Sequence, residues 1–328
     1  MKDLGRRFAV SFAAITVAGL ACNETASAQS ASPSPEPVRL LVGFAQGSNS
    51  DVVARLLAAA MAPRLGRPVV VENRVGGSGN AMAEAVARAA PDGSTIGLLA
   101  PSFPVARHVA RNLPFDPQAD FTPISLTATA PVLVLVSPDL PARDLRELGE
   151  VLRSRPVVCA TLGEGTFLHL SLVLLTRALG SECRPDHNPN PSAVIAGLEA
   201  GRVQLYFSAA AAALPAVRAG RARAIAVAST QRIAAAPDIP TVAETVPGFE
   251  VEAWYGVAGP SGLPSEVLDR LQRVAMEATR DPAVAGRLRE VGAEPVGSTG
   301  SEFAVRLRAE DTKWAEAAQA AGLRPAGL

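Results

Sequence analysis

Serine, asparagine, threonine and glycine recur in this chain where apolar runs of strand length end. These residue types bind an anion without reacting with it. The run Val38-Arg39-Leu40-Leu41-Val42-Gly43-Phe44 enters Ala45-Gln46-Gly47-Ser48-Asn49-Ser50-Asp51, which opens into the amphipathic pattern beginning Val52-Val53-Ala54-Arg55. A strand–loop–helix unit of this kind leaves unpaired backbone N–H groups at the helix N-terminus, all facing one point in space. The plainer reading is a turn with an N-cap, which every helix needs. Repetition argues against it. Gly76-Gly77-Ser78-Gly79-Asn80 follows a second apolar run, Pro101-Ser102 a third, and Gly163-Glu164-Gly165-Thr166 another. The second of these loops lacks the lysine of a P-loop and the full dinucleotide spacing, which argues against nucleotide binding.

Reactive chemistry is sparsely provided. Three histidines occur, His108, His169 and His187, and no H-E-x-x-H, C-x-x-C or G-x-S-x-G pattern. Ser78 or Ser102 would need a base within reach to act as a nucleophile, and His108 is nearest to Ser102 in sequence. A secreted α/β hydrolase is therefore the rival reading from another class. His169 stands three residues after Thr166 on the same helical face, so it either fastens the loop or meets a ligand. Neither Cys159 nor Cys183 has a Cys or His neighbour at metal-ligand spacing, and no metal or cofactor is expected. In an oxidising compartment those two cysteines are either a disulfide or two separate buried thiols.

The elements that must position these loops alternate between strand and helix, which argues an α/β architecture. Strands are predicted at Val38–Phe44, Pro68–Glu72 and Ser94–Ala100, each ending in a loop rich in Gly, Ser or Asn. In open α/β sheets ligands bind at that carboxyl edge. A long apolar strand within Ile124–Ser137 marks the crossover into a second domain, where the same grammar repeats. There, strands are predicted at Val157–Thr161, from Cys183, at Val203–Phe207 and at Ala222–Ala228. A further strand near Trp254 returns the chain to the first domain, and two terminal helices follow, Ser265–Thr279 and Ser301–Ala321.

Lys2, Arg6 and Arg7 precede an apolar core over Phe8–Ala21, and Ala26-Ser27-Ala28 supplies a cleavage signal. The stretch is too short for a membrane span, and an exported, soluble mature chain beginning at Gln29 is expected. Arg6-Arg7 leaves twin-arginine export open, and Cys22 a lipoprotein, although Gly19-Leu20-Ala21 is a poor lipobox. About 300 mature residues imply two domains. Lysine plus arginine equal aspartate plus glutamate at 31 each, so no basic field points to nucleic acid.

Several motifs carry a family resemblance. Phe44–Asp51 matches a loop that usually reads Phe-Ala-Pro-Gly-Gly-Gly-Thr-Asp. Val69–Arg74, Gly76–Asn80, Ala87–Gly93 and Leu113–Pro117 follow, then Pro237–Glu244, Pro247–Glu250, Trp254-Tyr255-Gly256 and Gly292–Val296. In these the chain resembles the Bug receptors, the periplasmic, TctC-like solute-binding proteins of tripartite tricarboxylate transporters. The resemblance implies a periplasmic-binding-protein type II fold of two lobes, each with a central mixed sheet flanked by helices, and a ligand cleft between them. It places residues 37–130 and 252–328 in lobe 1 and 131–251 in lobe 2, after a signal peptide over 1–28. It implies a monomer that captures a small organic acid and hands it to two membrane subunits; a sensory receptor signalling to a membrane partner is the variant reading.

The implied ligand set has two pincers. The first is Phe44, Ala45, Gln46, Gly47, Ser48 and Asn49, with Ser78, Asn80 and Ser102 around it. From the second lobe come Gly163, Gly165, Thr166 and His169, with Asn188, Asn190 and Ser192. Three departures stand out. Gln46-Gly47-Ser48 replaces Pro-Gly-Gly, and Ser208 replaces a family aspartate. In the second pincer, His187-Asn188-Pro189-Asn190-Pro191-Ser192-Ala193-Val194 replaces Pro-Tyr-Lys-Gly-Gly-Ala-Pro-Ala. Losing both glycines restricts φ, and each proline deletes an amide donor.

Overall fold

The computed structural model describes residues 36–188 and 190–323; the export signal, Cys22 and Pro189 lie outside them. In chain order the elements are β1 (Val38–Val42), α1 (Asn49–Leu65), β2 (Val69–Asn73), α2 (Asn80–Ala87), β3 (Thr95–Leu99) and α3 (Ser102–Val109). The chain then forms β4 (Phe121–Val136), α4 (Leu145–Ser154), β5 (Val158–Thr161), α5 (Phe167–Ala178), β6 (Arg184–His187) and α6 (Pro191–Glu199). It continues with β7 (Leu205–Ala209), α7 (Ala210–Arg218), β8 (Arg223–Val227) and β9 (Glu252–Pro260), and ends with α8 (Ser265–Arg280), α9 (Pro282–Glu290), β10 (Glu294–Pro295) and α10 (Gly300–Ala320).

The strands form a mixed, helix-flanked sheet in the order β2-β1-β3-β9-β4-β7-β5-β6, with β8 and β10 also paired to β4. The α/β, two-lobed expectation therefore holds. β1 pairs in parallel with both β2 and β3, so their carboxyl ends and the loops that follow emerge on one edge. β5 pairs in parallel with β6 and β7 and does the same in the second half. The 16-residue strand β4 joins the halves. Its segment Phe121–Pro131 pairs with β9, and Val132–Val136 pairs with β7 and β8. Helix α10 ties the halves further, since Trp314, Ala317 and Ala318 are buried among second-half residues such as Phe207 and Leu170.

Burial explains why these segments became strands. β3 is buried at every position and β1 at all but Arg39, as strands covered on both faces must be. Helix α9 was not anticipated from the charged segment Asp281–Glu290. Asp281 caps it by accepting the Ala283 N–H at 3.0 Å, and Pro282 sits in the first turn, where a missing N–H costs nothing.

Cys159 and Cys183 form a disulfide between β5 and the start of β6, with Cα atoms 5.9 Å apart. Cross-linking residues 24 apart restricts the unfolded chain, and on loop-closure arithmetic contributes about 3 kcal/mol. The Cys159→Ser/Cys183→Ser variant is expected to lose about that much stability in urea denaturation.

Candidate functional site

The β1–α1 loop is held by a buried carboxylate. Asp51, 2% exposed, accepts the Gly47 N–H at 2.9 Å and the Asn73 amide at 2.8 Å. It also accepts both arms of Arg55 at 2.9 Å each. Burial pushes the Asp51 carboxyl up, but hydrogen bonds from Arg55, Gly47 and Asn73 outweigh it and hold the group below its ordinary value. Asn73 donates further to the Phe44 carbonyl at 2.9 Å, anchoring the start of the loop. Ser48 is the N-cap of α1 and accepts the Asp51 N–H at 3.3 Å. Among the described residues, the N–H groups of Asn49 and Ser50 in the first turn have no acceptor.

The β2–α2 loop packs directly on this one. A Cβ on Gly43 would lie 2.5 Å from the Gly79 Cα, so the two backbones touch. Gly77, Ser78 and Gly79 carry φ values of +54°, +57° and +102°. Ser78 is the one non-glycine with positive φ among the described residues, a strained conformation of the sort that clusters at functional sites. The Ser102 hydroxyl, in the first turn of α3, lies 3.6 Å from where a Gly79 Cβ would stand. The three first-half loops thus converge.

From the second half the loop Leu162–Thr166 reaches α3: a Cβ on Gly165 would come within 3.3 Å of Val109. Thr166 caps α5, donating to the Gly163 carbonyl at 2.8 Å and accepting the His169 N–H at 3.3 Å. The His169 ring accepts the Gly165 N–H through Nδ1 at 3.0 Å, so it is neutral with its proton on Nε2. Burial, reinforced by His187 and opposed by Glu164, lowers the His169 pKa from 6.5. An unfolded chain therefore protonates this ring at higher pH than the folded one. The stability involved is whole above about pH 6.5 and falls away as pH drops through the depressed folded value. His169→Gln, whose amide oxygen can still accept from Gly165, is expected to flatten the fall in melting temperature between about pH 7.5 and 5.

Between these loops lies a cleft of about 410 Å³. Of the sequence-predicted residues it brings together Phe44, Ser78, Asn80, Ser102, Gly165 and Thr166. Ala45, Gln46, Gly47, Ser48, Asn49 and Gly163 belong to the bordering loops without lining it. Asn188, Asn190, Ser192 and Ser208 also stand outside the lining. Asn190 caps α6 by accepting the N–H groups of Ser192 at 3.0 Å and Ala193 at 3.4 Å, so those amides are already satisfied. His169 faces a different cavity, beside the disulfide.

Sequence reasoning missed Tyr255, Ser50 and Glu164, all in the lining. Tyr255 lies far away in sequence; burial pushes its phenol up to about 12, against the pull of Asn49's side chain. Ser50 was hidden as one residue of a first turn, and Glu164 as a spacer between glycines. Chemically the cleft offers hydroxyls, amides and apolar walls. Among the described residues no histidine bonds Ser78 or Ser102; His108 instead meets Asp311 of α10 at 2.8 Å. That leaves the hydrolase reading without its base.

Comparison with known proteins bears on the same question. The sequence model described as "Tripartite tricarboxylate transporter family receptor" matches residues 53–323. The UPF0065 protein in the tcbD–tcbE intergenic region of Pseudomonas sp. (strain P51) is 31% identical over 318 residues, covering 96% of this chain and 94% of the relative. The structure of R. palustris Rpa4515 with adipate is 32% identical at a TM-score of 0.76, covering 89% of this chain and 99% of that one. MatC (Rpa3494) from Rhodopseudomonas palustris with bound malate is 32% identical at a TM-score of 0.72, covering 86% and 99%. The chain belongs to the tripartite tricarboxylate transporter receptor family and is a solute-binding receptor, not an enzyme.

Proposed function

We propose that the protein captures a small carboxylate in the cleft bordered by Phe44, Ser78, Ser102 and Thr166, and delivers it to the membrane subunits of a tripartite tricarboxylate-type transporter. Residues 37–130 with 252–328 act as one lobe and 131–251 as the other, and β4 and β9 carry the hinge. The acid bridges the lobes and favours the closed form through contacts absent when they part. The observation that carries this reading is the convergence of Ser50, Ser78, Asn80 and Ser102, from separate βα loops, on one cleft that also meets Thr166. Such donors hold an anion reversibly and leave it unchanged. The adipate and malate carried by the two related structures are acids of the class proposed.

The protein works in the periplasm, after removal of residues 1–28. Among the described residues no helix is long and apolar enough to cross a membrane. A thermal-shift screen of carboxylates on the mature chain tests the proposal. One or more acids are expected to raise the melting temperature while their amides do not. If neutral compounds raise it and no acid does, the carboxylate reading fails.

A further inference from the structure

Tyr255 brings to the cleft a hydrogen-bond donor that the protein itself does not use. Strand β9 runs antiparallel beside β3, with Gly256 opposite Leu99. Tyr255 therefore stands level with Ala100, where β3 gives way to the Pro101-Ser102 turn, and all four residues line the cleft. On its other edge β9 pairs with β4, whose Thr127 hydroxyl donates to the Tyr255 carbonyl at 2.8 Å. The ring belongs to the first-half core that includes Val42 and Val257. Main chain and ring are thus held before a ligand arrives, which leaves little to order on binding.

The residue is 7% exposed. A phenol has one O–H to give and lone pairs to receive. Burial pushes the Tyr255 pKa up to about 12, while the Asn49 side chain pulls it back. A downward pull is what an amide N–H donating to the phenol oxygen produces. That leaves the O–H, and among the described residues it has no acceptor within 3.5 Å; the recorded bond of Tyr255 outside the strand ladder is through its carbonyl. A buried phenol O–H ordinarily finds a partner, and leaving it unpaired is costly. Its place matches the other unused donors. Asn49 and Ser50 open α1 with N–H groups that have no acceptor, and Ser50 lines the same cleft. Near neutral pH the phenol stays protonated, so it can donate to an acid that a phenolate would repel.

We infer that Tyr255 is a ligand-binding residue of this receptor, its phenolic O–H donating to the carboxylate gathered at the start of α1. The inference rests on the receptor reading. It adds to the loops a grip from β9, the strand that returns the chain to the first half.

The chain has two tyrosines, Tyr206 and Tyr255, so fluorine resonances from incorporated 3-fluorotyrosine report on each. Tyr206 lies in the second-half core, outside the cleft lining, and serves as the internal reference. The mature protein is titrated with acetate, benzoate, malate and adipate, and with acetamide and benzamide. Acids that bind are expected to move the Tyr255 resonance and leave that of Tyr206 in place. In calorimetry, Tyr255→Phe is expected to bind the same acids at least about tenfold more weakly, as loss of a hydrogen bond to a charged group implies. Its ligand-free stability in urea should change little, since the exposed Asn49 rehydrates. An acid that binds without moving the Tyr255 signal would overturn the inference and leave the receptor reading standing. So would an acid that binds Tyr255→Phe as tightly as the unsubstituted chain. Should Tyr255→Phe fail to fold, the resonance of the unsubstituted chain decides alone. If the amides bound and none of the acids did, the carboxylate reading itself would fall and take this inference with it.

Discussion

Asp51→Ala is expected to cost about 2–4 kcal/mol of stability and to weaken ligand binding at least about a hundredfold. Two effects combine. The Gly47 N–H and the Asn73 amide lose a buried acceptor, and the Arg55 guanidinium loses both of its bonds. Because the Arg55 side chain is 46% exposed and Gly47 is exposed with Asn73 half-buried, the freed donors rehydrate in part. The cost is the net worth of the several charge-assisted hydrogen bonds that Asp51 accepts. The loss in affinity has another origin: without Asp51 the β1–α1 loop is not held in its bound shape, and ordering it on binding consumes affinity. Arg55→Ala separates the parts, with an expected cost of about 1 kcal/mol or less. Urea denaturation and calorimetry on the two variants check both numbers. Because the Asp51 carboxyl sits below its ordinary 3.8, its contribution is complete above about that pH and is lost as acid takes it through the folded value.

Gly43→Ala is the second large effect, and its cause is purely steric. The added methyl would stand 2.5 Å from the Gly79 Cα and 3.3 Å from the Gly79 carbonyl oxygen, both backbone atoms that no rotamer change can move. The Gly77–Gly79 turn must shift, and Ser78, Asn80 and the contact with Ser102 shift with it. A cost of about 1–3 kcal/mol in stability is expected, together with loss of measurable binding. Gly66→Ala makes the control: it caps α1 at a φ of +65° with nothing within 4 Å, so it should cost about 1 kcal/mol and leave affinity alone. Equal losses of binding in the two variants would show that the contact between the loops does not shape the site.

Much of this architecture was readable from the chain because its signals are local. Alternating strand and helix patterns and the polar loops after β1, β2 and β3 depend on neighbours within a few residues. What escaped depends on contacts remote in sequence or on competition for the same donor. Asp51 reads as an ordinary first-turn acid, and only the fold brings Asn73 and the Gly47 N–H to it. Tyr255 reaches the cleft because β9 lies beside β3 in the sheet. The segment Asn188–Ser192 shows the opposite limit. Its prolines and asparagines pointed to a rebuilt pincer, while the structure has Asn190 satisfying the α6 amides from within. His169 likewise spends its Nδ1 on the Gly165 N–H, a pairing that spacing alone leaves open.

The most direct test of the account is amide chemical-shift mapping of the isotope-labelled mature protein titrated with the acid that raises its melting temperature most in the thermal-shift screen. Perturbations are predicted to concentrate on Asn49, Ser50, Ser78, Asn80, Ser102 and Thr166. Shifts confined to another surface, such as the cavity beside Cys159 and Cys183, would contradict it.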